Sequence, residues 1–367
     1  MTSARPTPPS TGLPRRTLDK RARIALPLCG ALLLGLAIHR LIIADPAERP
    51  YFEFTGRTMG TTYSVKIATQ DLSEAAKSVL ARDVEAQLDR VNALMSSYLP
   101  DSELSRFNRH RATDPFEFSE ETIEIFRIAR RVSEMTGGAF DITVGPLVAA
   151  WGFGATDRPP EPPSEETRRE LQQRVGYTKL IYDPARPTVA KSDPRIECDL
   201  SAIAKGYGVD LVARTIEKLG HSNYLVEIGG ELRARGHKLD GRIWRVGIER
   251  PDAAAPTSHE VVVLSDISLA TSGDYRDYYE VEGQRISHTI DPRAGRPIAH
   301  HLASVSVLHA EAVWADALAT ALNVMGPEDG LAWAEAHKTP ALFLVREDGG
   351  EFRTIASTAF ARLREPQ

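Results

Sequence analysis

The segment DLSAIAKGYGVD (Asp199–Asp210) follows a strand-like approach, TVAKSDPRIEC, and runs on into Val209, Val212, Ile216 and Leu219, apolar residues at helical spacing. The spacing predicts a strand-to-helix junction with Ser201 as the helix N-cap. A helix start exposes unpaired N–H groups and a partial positive charge, and Lys205 in the first turn adds a full one; together they suit phosphate. Gly206 and Gly208 carry no side chain, which admits either a ligand or a neighbouring backbone. Taken alone, the segment fits an ordinary capped helix on a sheet as well as it fits a phosphate site.

Outward from this junction, strand-like stretches come in consecutive groups. Tyr51–Ile67 alternates and is rich in Thr, Tyr and Phe, which predicts two strands broken at Met59-Gly60. Asp71–Met95 has helical periodicity, Ser102 can cap a short helix from Glu103, and residues 119–135 form an amphipathic helix ended by Gly137-Gly138. Residues 164–175 read as a further helix. After the junction, Asn223–Gly236, Ile243–Pro251 and the meander from Val261 to Pro292 are strand-like. His301–His309 alternates as a strand, Glu311–Met325 is helical, and a hairpin turning at Asp348-Gly349-Gly350 closes the chain. Strands outnumber helices without strict alternation, so the expected class is α+β.

The N-terminus concerns location. Residues 1–23 are basic, with Arg5, Arg15, Arg16, Lys20, Arg21 and Arg23 against Asp19, and are expected to be an unfolded cytoplasmic tail. Residues 24–43 are apolar for about the length that spans a bilayer, so this run is expected to be a single-pass anchor in a bacterial inner membrane. Residues 50–362 then form one domain on the periplasmic side. A cleaved signal peptide is the alternative. The formal net charge of −5 leaves no basic stripe beyond the N-terminus, so nucleic acid is not an expected partner. With only Cys29 and Cys198, neither a disulfide framework nor a cysteine metal site is available.

Further chemistry-bearing residues lie toward the C-terminus. Asp316 and Thr320 stand four apart on one helix, at the margin of a stripe formed by Ala317, Ala321, Leu322 and Met325. An acid beside a hydroxyl suits a hard cation such as Mg²⁺, although such a threonine can equally bond back to its own helix. His288, before the turn-forming Asp291-Pro292, can act as a general base or simply hold a loop carbonyl. Asp141, Glu227 and Asp274 sit beside glycines, the usual place of turn formers.

Taken together and in order, MGTTYSVK, YLPDSELSRFN, GGAFDITVGPLVAAWGFG, DLSAIAKGYGVD, YLVEIGGELRARG, TSGDYRDYY, SHTIDPRAGRP and ADALATAL resemble the ApbE family, the FAD:protein FMN transferases. The resemblance spans Tyr51 to the C-terminus. It implies an ApbE-like (T-fold-like) α+β fold of largely antiparallel sheets with packed helices. It also implies a Mg²⁺-dependent enzyme that attacks FAD with a Thr or Ser hydroxyl of an acceptor flavoprotein, a subunit of a membrane redox complex, and releases AMP.

By position, the resemblance assigns flavin and diphosphate contacts to Met59, Tyr98, Ala139, Phe140, Asp141, Asp199, Lys205 and Ile290. The cation falls to the Ala202 carbonyl, Asp316 and Thr320, and the base to His288. Thr289, Arg296 and Gly208 depart from residues common in the family, and Ala319 stands where some members carry a second Asp. An aromatic residue at Tyr98 favours transfer over hydrolysis. Two other readings use the same phosphate-cradling residues: an FAD-binding protein without catalysis, and an FAD pyrophosphatase.

Overall fold

The computed structural model describes residues 51–154, 161–249, 258–273, 278–281, 283–347 and 349–363. The expected basic tail, apolar anchor and Asp274 lie outside the described residues, and among the described ones no helix is long and apolar enough to cross a membrane.

One eight-stranded sheet organises the body. Its strands are β1 (Phe52–Thr58), β2 (Thr61–Ile67), β3 (Tyr224–Ile228), β4 (Glu231–Arg235), β5 (Ile267–Gly273), β6 (Leu302–His309), β7 (Ala341–Arg346) and β8 (Phe352–Ala356). They lie side by side in chain order, and every neighbouring pair is antiparallel. The fold is therefore α+β, as expected. The β1–β2 connection is a two-residue turn in which Met59 (φ 47°) and Gly60 (φ 73°) both take positive φ, the geometry that matches strand twist in a tight hairpin.

Long excursions leave this meander and return to it. Between β2 and β3 the chain forms α1 (Glu74–Met95), α2 (Glu120–Met135) and α3 (Ala204–Lys218); between β6 and β7 it forms α4 (Ala312–Ala336). Ser73 caps α1 and Ser119 caps α2, each accepting a backbone N–H three residues on. Leu80, Val84, Leu88, Val91 and Met95 form the buried stripe of α1. Gly137 and Gly138, both at positive φ, turn the chain after α2 as expected. α4 is broken at Gly326 (φ 82°, ψ 178°) ahead of Pro327, so the predicted helix to Met325 is followed by a second segment.

Both faces of the sheet are covered. Val65, Ile67, Val226 and Ile228 pack with α1 and α3, while Val305, Val307 and Ala270 pack with α4. On the other face, Leu225, Leu232, Leu269, Leu308 and Leu344 meet Trp244 and Val262 of the ribbon Trp244–Glu249/Ser258–Leu264, together with Phe360. This explains a departure from the expected pattern. β6 has an alternating sequence, yet Leu302–Leu308 are all buried because neither face meets water.

The start of α3 also differs from expectation. Ser201 is exposed and caps nothing. The Asp199 carboxylate accepts the Ser201 N–H at 2.8 Å, which curls residues 200–203 into a turn, and the helix begins at Ala204 after Ile203. Lys205 stays in the first turn.

Candidate active site

The first turns of α3 and α4 meet backbone to backbone. A Cβ on Gly206 would lie 2.3 Å from the Ala312 carbonyl oxygen and 2.8 Å from Asp316 Cβ, so glycine here admits a neighbouring helix. Each helix supplies a carboxylate to the start of the other. Asp316 Oδ2 of α4 accepts the Gly206 N–H at 2.9 Å, and Asp210 Oδ2 of α3 accepts the Val313 N–H at 2.9 Å. Both contacts satisfy N–H groups that a helix leaves open and place negative charge where the helix dipole favours it. The second oxygen of Asp210 pairs with Arg233. The second oxygen of Asp316 looks toward Lys205, 3.9 Å away.

Lys205 is the hub of the local charge. Its ammonium lies 2.7 Å from Glu231 Oε1, with the side chain 29% exposed. Burial opposes its charge, but Asp316 and Glu231 outweigh burial and hold the ammonium above its ordinary range. Burial likewise pushes both acids upward, against the pull of Lys205 on each and of the Gly206 N–H on Asp316.

These groups open onto a cleft of about 350 Å³. Its lining brings together Tyr98, Ala139, Phe140, Asp141, Asp199, Ala202, Lys205, His288, Ile290, Asp316 and Thr320, from segments far apart in the chain. Met59 is not among the lining residues: it sits in the β1–β2 turn and packs near Gly208 and the apolar core.

Each wall is braced from behind. Tyr98, 68% exposed, stands at the mouth on a loop held by Ser96, whose hydroxyl accepts the Tyr98 N–H at 3.1 Å. Asp141 caps the short 3₁₀ turn Ile142–Val144, accepting from the Thr143 N–H and hydroxyl, while its other oxygen accepts the Tyr177 N–H at 2.6 Å. Both its oxygens serve the scaffold, and burial raises its pKa against these bonds. The Asp199 N–H donates to Ile142 O at 2.7 Å and joins this wall to the turn before α3. Glu227 is a turn former, accepting the Gly230 N–H at 2.7 Å.

His288 is half-buried, with its ring edge-on to Phe153 at 6.3 Å between centroids. The next residue, Thr289, accepts a hydrogen bond from Asn323 Nδ2 of α4, which also donates to Ser272 of β5.

The sequence reading missed Glu231, Asn323 and Asn108. Asn108 makes a paired contact with the Cys198 backbone, donating to its carbonyl and accepting its N–H at 2.8 Å each, and so fixes the approach to Asp199. Glu231 had a visible signal, a second acid just after the Gly-Gly turn of EIGGE. The buried Asn323 had none beyond lying one turn from Thr320.

Among the described residues, no group of three or more His, Cys, Asp and Glu side chains is arranged as a metal cage. The expected set of one carboxylate, one hydroxyl and one carbonyl is not such a cage. It suits a hard cation that keeps water and shares a substrate phosphate, and the cleft-facing Asp316 oxygen fits that use.

Fold and cleft together define an α+β protein able to hold an anionic ligand between a lysine-bearing helix start, buried carboxylates and a histidine. Comparisons with known proteins agree. A profile described as the ApbE family matches residues 59–343. A Vibrio cholerae protein named FAD:protein FMN transferase is 42% identical over 327 residues, covering 89% of this chain and 97% of that protein. The Escherichia coli K12 protein of the same name is 38% identical, covering 86% and 91%.

Among solved structures, the flavin transferase ApbE of Vibrio cholerae superposes with a TM-score of 0.78 at 42% identity, covering 86% of this chain and 99% of that one. The apo flavinyl transferase ApbE of Pseudomonas stutzeri also gives 0.78, at 41% identity, with coverage of 85% and 96%. The chain belongs to the ApbE family.

Proposed function

We propose that this protein is an FAD:protein FMN transferase that moves the FMN moiety of FAD onto a Thr or Ser hydroxyl of an acceptor flavoprotein and releases AMP. The observation that carries this reading is the convergence, in one cleft, of Lys205, His288, Asp316 and Thr320 from separate segments. In the transfer, the acceptor oxygen bonds to the FMN-side phosphorus, the phosphoanhydride P–O bond breaks, and AMP leaves with the electron pair.

His288 takes the hydroxyl proton. Lys205 and the start of α3 bind and neutralise the diphosphate, and Tyr98 at the mouth closes over the flavin. Ala202 O, Asp316 and Thr320 would hold Mg²⁺, which supplies Lewis-acid polarisation of the phosphate oxygens. Displacement at phosphorus draws most of its acceleration from such positioning and charge neutralisation. The apolar run at residues 24–43 supports a membrane-anchored enzyme facing the periplasm, where the acceptor would be a subunit of a membrane redox complex.

The test is to incubate the full chain with FAD, Mg²⁺ and a flavoprotein domain bearing an exposed threonine, then measure the intact mass of the acceptor and free AMP. An FMN-sized mass increase with matching AMP is expected. Free FMN with an unmodified acceptor would instead identify a pyrophosphatase, and intact FAD a binding protein.

A further inference from the structure

Glu231 opens β4 directly after the Gly229–Gly230 turn and is 2% exposed. Its Oε1 meets the Lys205 ammonium at 2.7 Å, whereas its Oε2 is buried with no hydrogen-bond partner among the described residues. Leaving a carboxylate oxygen buried and unpartnered opposes folding, so the placement calls for a reason beyond stability.

The surroundings supply one. Lys205 Nζ stands between two buried carboxylates, bonded to Glu231 and 3.9 Å from Asp316 Oδ1, beyond hydrogen-bond reach. A Cβ on Gly229 would lie 3.3 Å from Lys205 Cδ, so glycine at this turn leaves room for the lysine stem to pass. The ammonium stands within a short shift of both acids and pairs with one of them. If Glu231 carried no charge, attraction would draw the ammonium onto Asp316 and occupy the oxygen that faces the cleft.

We propose that Glu231 is a positioning residue for FMN transfer: by holding Lys205 it keeps the ammonium off Asp316, so that the outer Asp316 oxygen stays open to a divalent cation. This role rests on Asp316 being the cation ligand of the function proposed above. It gives the shared lysine two tasks, facing the substrate diphosphate while its charge stays clear of the cation. Glu231 itself need touch neither substrate nor cation.

The test uses the full chain in detergent, with Mn²⁺ as the probe. Cation affinity is read from the paramagnetic resonance signal of free Mn²⁺, and folding from a thermal melt. Glu231→Gln is expected to weaken Mn²⁺ binding by roughly 10-fold or more while the melting temperature stays close to wild type. Raising Mn²⁺ should restore most of the turnover number, because the effect is on cation affinity. On a Lys205→Met background, Glu231→Gln should cause no further loss, since Glu231 acts through that lysine.

Wild-type Mn²⁺ affinity in Glu231→Gln overturns the inference and leaves the transferase reading standing. A wild-type chain that neither binds Mn²⁺ nor transfers FMN removes both. Should Glu231→Gln fail to fold, Glu231→Asp, which shortens the reach but keeps the charge, is expected to show a smaller loss in the same direction; unchanged affinity there overturns the inference equally.

Discussion

Asp210 and Asp316 play matching roles on two helices that meet near their starts, and each caps the other's helix start. Their remaining oxygens differ. That of Asp210 is taken by Arg233, so the residue is wholly part of the scaffold. That of Asp316 faces the cleft, with Lys205 at 3.9 Å. One carboxylate is saturated and the other half-committed, which shows how a single packing motif can brace a fold on one side and present a reactive group on the other. Burial alone does not separate the two, since both are almost fully enclosed.

The contrast can be broken by exchanging the readouts. Asp316→Ala should reduce FMN transfer by roughly 10³-fold, the scale of losing a main electrostatic contributor, while the chain stays folded; acceptor mass after a timed incubation measures it. Asp210→Ala strands Arg233 and the Val313 N–H together, so denaturant unfolding should show a loss of about 3 kcal/mol. Transfer by its folded fraction should stay within a few-fold of wild type. Comparable stability losses and comparable activity losses in the two variants would erase the distinction.

Gly206→Ala attacks both halves at once. The added methyl meets the Ala312 carbonyl, so about 2 kcal/mol of stability should go, measured by chemical denaturation, with transfer falling as the Gly206–Asp316 contact opens.

Glu165 provides the smallest effect and an external control, as an exposed acid tied to Arg168, Arg169 and Arg296. Hydrogen bonding from Arg168 holds its carboxyl down at about 2, below the ordinary 4.5. A depressed acid contributes stability above its unfolded value and loses it as pH falls through the folded one. The gap in melting temperature between wild type and Glu165→Ala should therefore be small near neutrality and close as pH drops from about 4.5 toward 2. Transfer at neutral pH should not change.

Local chemistry made much of the fold legible. The Met59-Gly60 break, the cap at Ser102 and the Gly137-Gly138 stop all depend on a few neighbouring residues and lie where the pattern put them. Ser201 was misassigned because Asp199, two residues away, captured its N–H and delayed the helix. β6 kept its alternating sequence, but a second layer covered the face that alternation assigns to solvent. Of the residues that the ordered motifs assigned to the site, all but Met59 line the cleft. Glu231 stayed hidden because its importance lies entirely in standing opposite a lysine from a different segment.

The sheet follows chain order, yet the cleft draws on residues from Tyr98 to Thr320 and needs α4 to complete it. A chain emerging from synthesis without its last sixth would therefore lack Thr320 and Asp316, and with Asp316 the carboxylate that steadies the opening of α3. Such a fragment would have no competent site, so activity arrives late and all at once, when α4 docks.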